Sequence, residues 1–175
     1  MVELIPQSLY NNCVIKVNGM MEELICKKCG KPATTLTWKG WLCDTCFSEF
    51  KEQEEQERKR KEEELRKLLA RIPIVKPPKK GNELKFISFL AHQFHSEENQ
   101  KALKLAMELK IPLNTIPLIR IEKEHLGRHF FKLTVFQGEQ KLAVGFFNPD
   151  KHGNPSVSKN ALFKALKIGL IKMQK

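Results

Sequence analysis

The chain has 175 residues, enough for one ordinary domain or two small ones. An apolar content of 41% supports a core, whereas 29% charged residues and a mean hydropathy of −0.40 exclude a membrane-embedded protein. The net charge of +11 is unevenly spread: residues 1–50 carry five basic and five acidic side chains, residues 51–80 eleven and seven, and residues 81–175 fifteen and eight. Attraction for a polyanion therefore belongs to the middle and C-terminal parts. Met1 to Pro6 has neither a basic start nor an apolar run, so no signal peptide is expected. Five cysteines, four of them in paired hooks, fit a reducing interior better than a disulfide framework, which predicts an intracellular protein.

Residues 1–50 read as a small module with an N-terminal strand, Asn12 to Val17, ended by the turn pair Asn18-Gly19. Cys13 lies in this strand and reads as a buried structural thiol. Cys26-Lys27-Lys28-Cys29 and Cys43-Asp44-Thr45-Cys46 are two Cys-x-x-Cys hooks, separated by thirteen residues from Gly30 to Leu42. Each hook puts two thiolates on one tight turn, and a short hairpin between them lets four sulfurs surround one structural Zn²⁺ tetrahedrally. The metal supplies the folding energy that so small a module cannot obtain from burial, about 10–16 kcal/mol in comparable peptides. Thr34-Leu36-Trp38 alternate with Thr35-Thr37-Lys39, and Gly40 turns into Trp41-Leu42, which predicts that hairpin. Trp38, Trp41, Phe47 and Phe50 are the expected core of the module. With Pro32-Ala33 after the first hook, and a second hook that opens a helix, the stretch resembles a treble-clef or zinc-ribbon finger. Four thiolates around one Zn²⁺ leave the site with a charge of −2, so the finger is not the expected grip on nucleic acid.

Nothing breaks a helix from Phe47 to Arg71. Glu54–Arg58, Glu55–Lys59, Glu57–Lys61, Glu62–Arg66 and Glu63–Lys67 stand at i,i+4 in the favoured order. No apolar residue occurs from Lys51 to Glu64, so residues 51–71 read as a solvated spacer helix of about 35 Å. Ile72-Pro73-Ile74-Val75-Lys76-Pro77-Pro78-Lys79-Lys80 ends it, and residues 72–82 read as a semi-rigid linker and domain boundary.

Residues 83–175 read as a basic α+β domain. Leu84, Ile87, Leu90, Ala91 and Phe94 recur at helical spacing over residues 83–94. Ser96 before Glu97 and Glu98 starts a second helix that runs to about Lys110. Ile116 to Glu122, a segment through Phe131-Leu133-Val135, and Lys141 to Phe147 read as three meandering strands. A polar loop follows, and Ser158 caps a last helix through Met173. The expected fold is a two-layer α-β-β-β-α sandwich with one extra leading helix. In that order, and in Lys159, Ala161 and Ala165 of the last helix, residues 97–173 resemble a double-stranded-RNA-binding domain. Ser158 and Leu162 stand where that family prefers lysine. Leu126-Gly127-Arg128-His129 lies where the family probes a minor groove, without its usual proline. The resemblance implies nucleic-acid contacts by Arg128, His129 and Lys159.

The residues themselves point the same way. Ser158 and Lys159 surround a helix N-terminus that favours phosphate, and Lys164 and Lys167 extend a positive strip one turn on. Lys79 and Lys80 add the basic linker. His92 and His95, at i,i+3, are the remaining metal candidate, but no nuclease or deaminase spacing and no Gly-rich phosphate loop accompanies them. A four-thiolate zinc has no open position for substrate. The expectation is a non-catalytic zinc protein that binds structured RNA or duplex DNA, mainly through phosphates, and no membrane. The alternative is an adaptor whose finger docks on a polymerase or on a replication or transcription complex.

Overall fold

In the computed structural model, which describes residues 14–17 and 20–173, β1 (Val14–Val17) and β2 (Met20–Glu23) form an antiparallel hairpin with Val17 opposite Met20. Cys13 and the Asn18-Gly19 pair lie outside the described residues. β3 (Thr35–Thr37) and β4 (Gly40–Leu42) form a second hairpin. The Thr37 hydroxyl donates to the Gly40 carbonyl at 2.8 Å, and Gly40 takes a φ of +111°, which suits glycine at this turn. β4 leads into α1 (Asp44–Leu69).

The chain divides into two compact units, Met1–Lys59 and Arg60–Lys175. The first has a core of Ala33, Leu42 and Phe50 around three buried cysteines, with Leu24, Trp41 and Phe47 packed on it. Trp38 departs from expectation: it is 76% exposed, because it sits on the turn of the β3–β4 hairpin rather than beneath it. Its ring meets Phe50 edge-on at 6.1 Å, and its Nε1 donates to Glu54 at 3.1 Å.

In the second unit the end of α1 is not a solvated spacer. Leu65 and Leu68 are buried with Ile72, Ala102, Ala106 and Leu118. The proline-rich run that follows is strapped down as well. Gln137, itself buried, accepts from the Val75 N–H at 2.7 Å and donates to the Pro73 and Pro117 carbonyls at 2.8 and 3.0 Å. The division therefore falls at Lys59/Arg60 and not at the prolines, because Ile72 and Val75 are core residues of the second unit.

That unit continues with α2 (Glu83–Phe94), α3 (Glu97–Glu108), β5 (Ile119–Gly127), β6 (Phe130–Gln137), β7 (Gln140–Phe147), the short α4 (Pro149–His152) and α5 (Lys159–Met173). The strands form one antiparallel sheet in the order β5-β6-β7. β6 alternates, burying Leu133 and Val135 with Ile119 of β5 and Phe147 of β7 against α2 and α5. Ile87, Leu90, Ala91 and Phe94 of α2 meet Leu162, Ala165 and Leu166 of α5 in this core. The helix expected to be an extra is thus the one that pairs with α5. α3 buries Ala102 and Ala106 in the cluster shared with α1 instead.

Two details hold these layers. Ser96 caps α3 by accepting from the Asn99 N–H, while the buried Asn99 side chain donates to the Phe94 and Ile119 carbonyls and accepts from the Ile119 N–H. This amide satisfies backbone groups at the start of β5 that would otherwise be unpaired in the core. Gly169 lets α5 approach β7 closely: a Cβ there would stand 2.0 Å from the Val144 carbonyl oxygen. Among the described residues, no helix is long and apolar enough to cross a membrane.

Candidate functional site

The first hook folds as a tight knuckle. The Cys26 N–H donates to the Lys31 carbonyl, the Gly30 N–H returns to the Cys26 carbonyl, both at 2.8 Å, and Gly30 takes a φ of +75°. The Lys27 N–H donates to the Trp41 carbonyl at 3.0 Å, which ties the knuckle to β4. The second hook straddles the start of α1: Cys43 precedes the helix and Cys46 lies in its first turn. The Thr34 hydroxyl donates to the Asp44 carboxylate at 2.6 Å and fastens this turn to the hairpin. The Thr34–Asp44 bond is an element that spacing alone did not reveal.

The four sulfurs, of Cys26, Cys29, Cys43 and Cys46, lie within 4.8 Å of one another. Cys29 and Cys43 are 3.5 Å apart. Four thiolates around one Zn²⁺ at about 2.3 Å stand roughly 3.8 Å apart, so the cluster has the dimensions of such a site. Cys26, Cys43 and Cys46 are buried and Cys29 is exposed. Among the described residues this is the one cluster of three or more potential ligands of this kind.

The electrostatics fit a cation. Burial pushes the Cys26 thiol up, but the backbone N–H groups of Cys43, Lys28 and Cys29 outweigh it and bring the group down to about 6. Cys46 is pushed up to about 12, first by burial and then by the neighbouring thiols of Cys29, Cys43 and Cys26. Cys29 also rises: the Lys31 N–H draws it down, yet the Cys43 thiol and burial prevail. Cys26 ionises readily while Cys29 and Cys46 resist, which is the behaviour of a crowded thiol set that a dication relieves. Outside the sulfurs, Lys28 pairs with Glu49 at 2.5 Å, a partner that raises the lysine.

The basic residues singled out in the sequence lie on the surface of the second unit. Ser158 is the residue before α5 and accepts from the Ala161 N–H at 3.4 Å. Lys159, Lys164 and Lys167 are exposed along that helix, and Lys79 and Lys80 are exposed just before α2. Arg128 and His129 form the β5–β6 turn, where His129 takes a φ of +57° and pairs with Asp150 at 3.2 Å. The fold brings Lys159 together with Lys85 and His92 in an open cleft of about 480 Å³ between α2 and α5. Sequence reasoning missed Lys85, although Lys85 and His92 stand at i,i+7 on one helix. His95 is turned away from a metal role, its Nε2 lying 3.2 Å from the Pro155 carbonyl and its ring edge-on to Phe94.

No family model, curated protein or solved structure matches this chain, so the resemblance to double-stranded-RNA-binding domains finds no support there.

Proposed function

We propose that the protein is a non-catalytic, intracellular nucleic-acid-binding protein with one structural zinc ion held by Cys26, Cys29, Cys43 and Cys46. The first unit is then a treble-clef finger, closed to substrate because all four positions on the metal are thiolates. The observation that carries the nucleic-acid reading is the charge partition. Arg60–Lys175 holds twenty-three basic and eleven acidic residues, whereas Met1–Lys59 holds eight and nine. Structured RNA or duplex DNA meets the second unit chiefly through phosphates, at Lys159, Lys164 and Lys167, with Lys79 and Lys80, Ser158 at the start of α5 and the Arg128-His129 turn as further contacts. Such binding weakens steeply with salt.

The test is a titration of the whole chain with duplex RNA, duplex DNA and single strands at two salt concentrations. The whole chain is needed because a fragment beginning at Gly81 would lack Leu65, Leu68, Ile72 and Val75 of the core. Salt-sensitive binding is expected, and Lys159→Glu with Lys164→Glu should weaken it several-fold. Absence of binding to every strand would end this reading.

A second reading has its own observation. Trp38 and Leu36, 76% and 63% exposed, present an apolar patch on the near-neutral unit. Tryptophan is a common anchor at protein interfaces. In this reading the finger docks on a polymerase or a replication or transcription complex and the basic unit follows it there. The two roles are compatible.

A further inference from the structure

The sheet of the second unit has two faces, and only one is spent on the core. In the strand register, Arg120, Glu122 and Glu124 of β5, Phe130, Lys132, Thr134 and Phe136 of β6, and Val144 and Phe146 of β7 share the other. Among the described residues of the unit, the buried core clusters lie elsewhere, and β6 and β7 remain half-exposed on this side. An antiparallel sheet that faces water on one side ordinarily carries polar residues there. This face carries three phenylalanines, and they are interleaved with cations. Phe130 and Phe146 are stacked, with centroids 6.0 Å apart and planes 13° from parallel. The Lys172 ammonium, from the end of α5, lies 4.8 and 4.4 Å from those two centroids. The Arg120 guanidinium lies 4.4 Å from the Phe136 ring. Lys132 stands between Phe130 and Phe136 along β6.

We propose that this face takes unpaired nucleotides. Bases stack on the Phe130–Phe146 pair and on Phe136, while Lys132 and Lys172 meet the phosphates and Arg120, 13% exposed and held by Glu122, packs on the Phe136 ring. The proposal rests on the nucleic-acid reading above and adds to it the class of ligand that this surface recognises. Aromatic rings accept any base through its π-face, and interleaved cations follow the backbone between bases. A protein partner fits the face less well, because the centre of a protein interface is depleted of charge, whereas Lys132 occupies the centre of this one. The two acids lie along β5, with Glu122 paired to Arg120 and Glu124 to Lys132. The phosphate path that they leave open runs along β6 and β7 towards Lys172. Phe130 and Phe136 are six residues apart on one strand, about 20 Å at roughly 3.4 Å per residue, which is room for more than one base.

The experiment compares the unmodified full chain on three labelled ligands by fluorescence anisotropy at low salt: a twelve-nucleotide uridine strand, an abasic strand of the same length, and a duplex. The uridine strand is expected to bind more tightly than the abasic one. Phe130→Leu with Phe146→Leu keeps the apolar volume and removes the rings. It should cost about 5- to 150-fold in affinity for uridine per stacked base lost, with abasic and duplex affinities unchanged and the circular dichroism melting curve retained. Equal affinity of the unmodified chain for the uridine and abasic strands overturns the proposal, and that comparison needs no variant. If duplex binding is then still salt-sensitive, the wider nucleic-acid reading stands alone; if nothing binds, both fall.

Discussion

The two units stabilise short stretches of chain in opposite ways. Among the described residues of Met1–Lys59, three of the six buried core residues are cysteines, and the remainder are Ala33, Leu42 and Phe50. In Arg60–Lys175 the core is leucine, isoleucine, valine, alanine and phenylalanine, and its buried amides, Asn99 and Gln137, tie loops and the proline strap to the sheet. Their surfaces differ as well, one near neutral and the other strongly basic. A unit that owes its fold to hydrophobic burial can carry an excess of like charge on its surface. A unit whose small core is built around four clustered cysteines would, with the proposed zinc, depend on one dication. One half of the molecule thus carries the four-cysteine cluster and the other the excess of basic side chains, which is the division that the proposed function uses.

The largest expected effect breaks the first unit alone. Removing zinc with a chelator, or Cys43→Ser, forfeits a term of about 10–16 kcal/mol in comparable modules. Both tryptophans, Trp38 and Trp41, belong to this unit, so its unfolding is read as a red shift of tryptophan emission. Metal analysis should fall from about one zinc per chain to none, while the thermal transition of the second unit, followed by far-ultraviolet circular dichroism, stays in place. Loss of both units together would refute their independence.

The next effect runs the other way. Asn99→Ala leaves the Ile119 N–H and carbonyl without their partner inside the core, while the Phe94 carbonyl keeps the Gln100 amide. At roughly 1–3 kcal/mol per buried polar group left unpaired, the circular dichroism midpoint should drop by several degrees. Zinc content and tryptophan emission should not change.

Gly169→Ala sharpens the same side of the comparison. Its Cβ meets the Val144 carbonyl, a backbone atom that cannot turn aside, so α5 must lift from β7. Overpacking of this kind costs about 1–3 kcal/mol, again in the second unit's melting curve alone.

The smallest effect belongs to the exposed indole. Trp38→Ala removes an edge contact to Phe50 and one surface hydrogen bond, so about 0.5–1 kcal/mol is expected, with zinc stoichiometry intact. A loss as large as that of Cys43→Ser would return Trp38 to the core.

The hooks were legible because metal ligation is local in sequence: Cys-x-x-Cys forms its own turn, and the spacer needs only one hairpin. The helices and strands of the second unit were legible for a similar reason. Ile87-Leu90-Ala91-Phe94 repeats with helical period, and Leu133-Val135 alternates with strand period. Ser96 marks its helix start through its own side chain. These signals lie within a turn or two of the residues that they organise.

What failed was assignment across distance. Residues 72–82 have the composition of a linker, and the buried partner that straps them, Gln137, is more than sixty residues away. Leu65 and Leu68 end a helix whose preceding fourteen residues are polar, so the pattern looked solvated until Ala102, Ala106 and Leu118 closed over them. The pairing of α2 with α5, and of α3 with the end of α1, left no mark in either helix alone, since any apolar stripe accepts any complementary one.

The four-cysteine cluster keeps the place that its spacing gave it, and tertiary contacts added the Thr34–Asp44 bond and the crowding of its thiols. The aromatic sheet face shows the contrast most clearly. The alternation of β6 declares that it has two faces, but Phe130 meets Phe146 and Lys172 only after three strands are in register and α5 has returned beside β7. By itself the sequence determined the two cysteine hooks, the elements and the basic excess, all set by short-range geometry and composition. Which face is covered, and which side chains converge on the face left open, was decided by tertiary structure, because burial depends on partners that the chain supplies from far away.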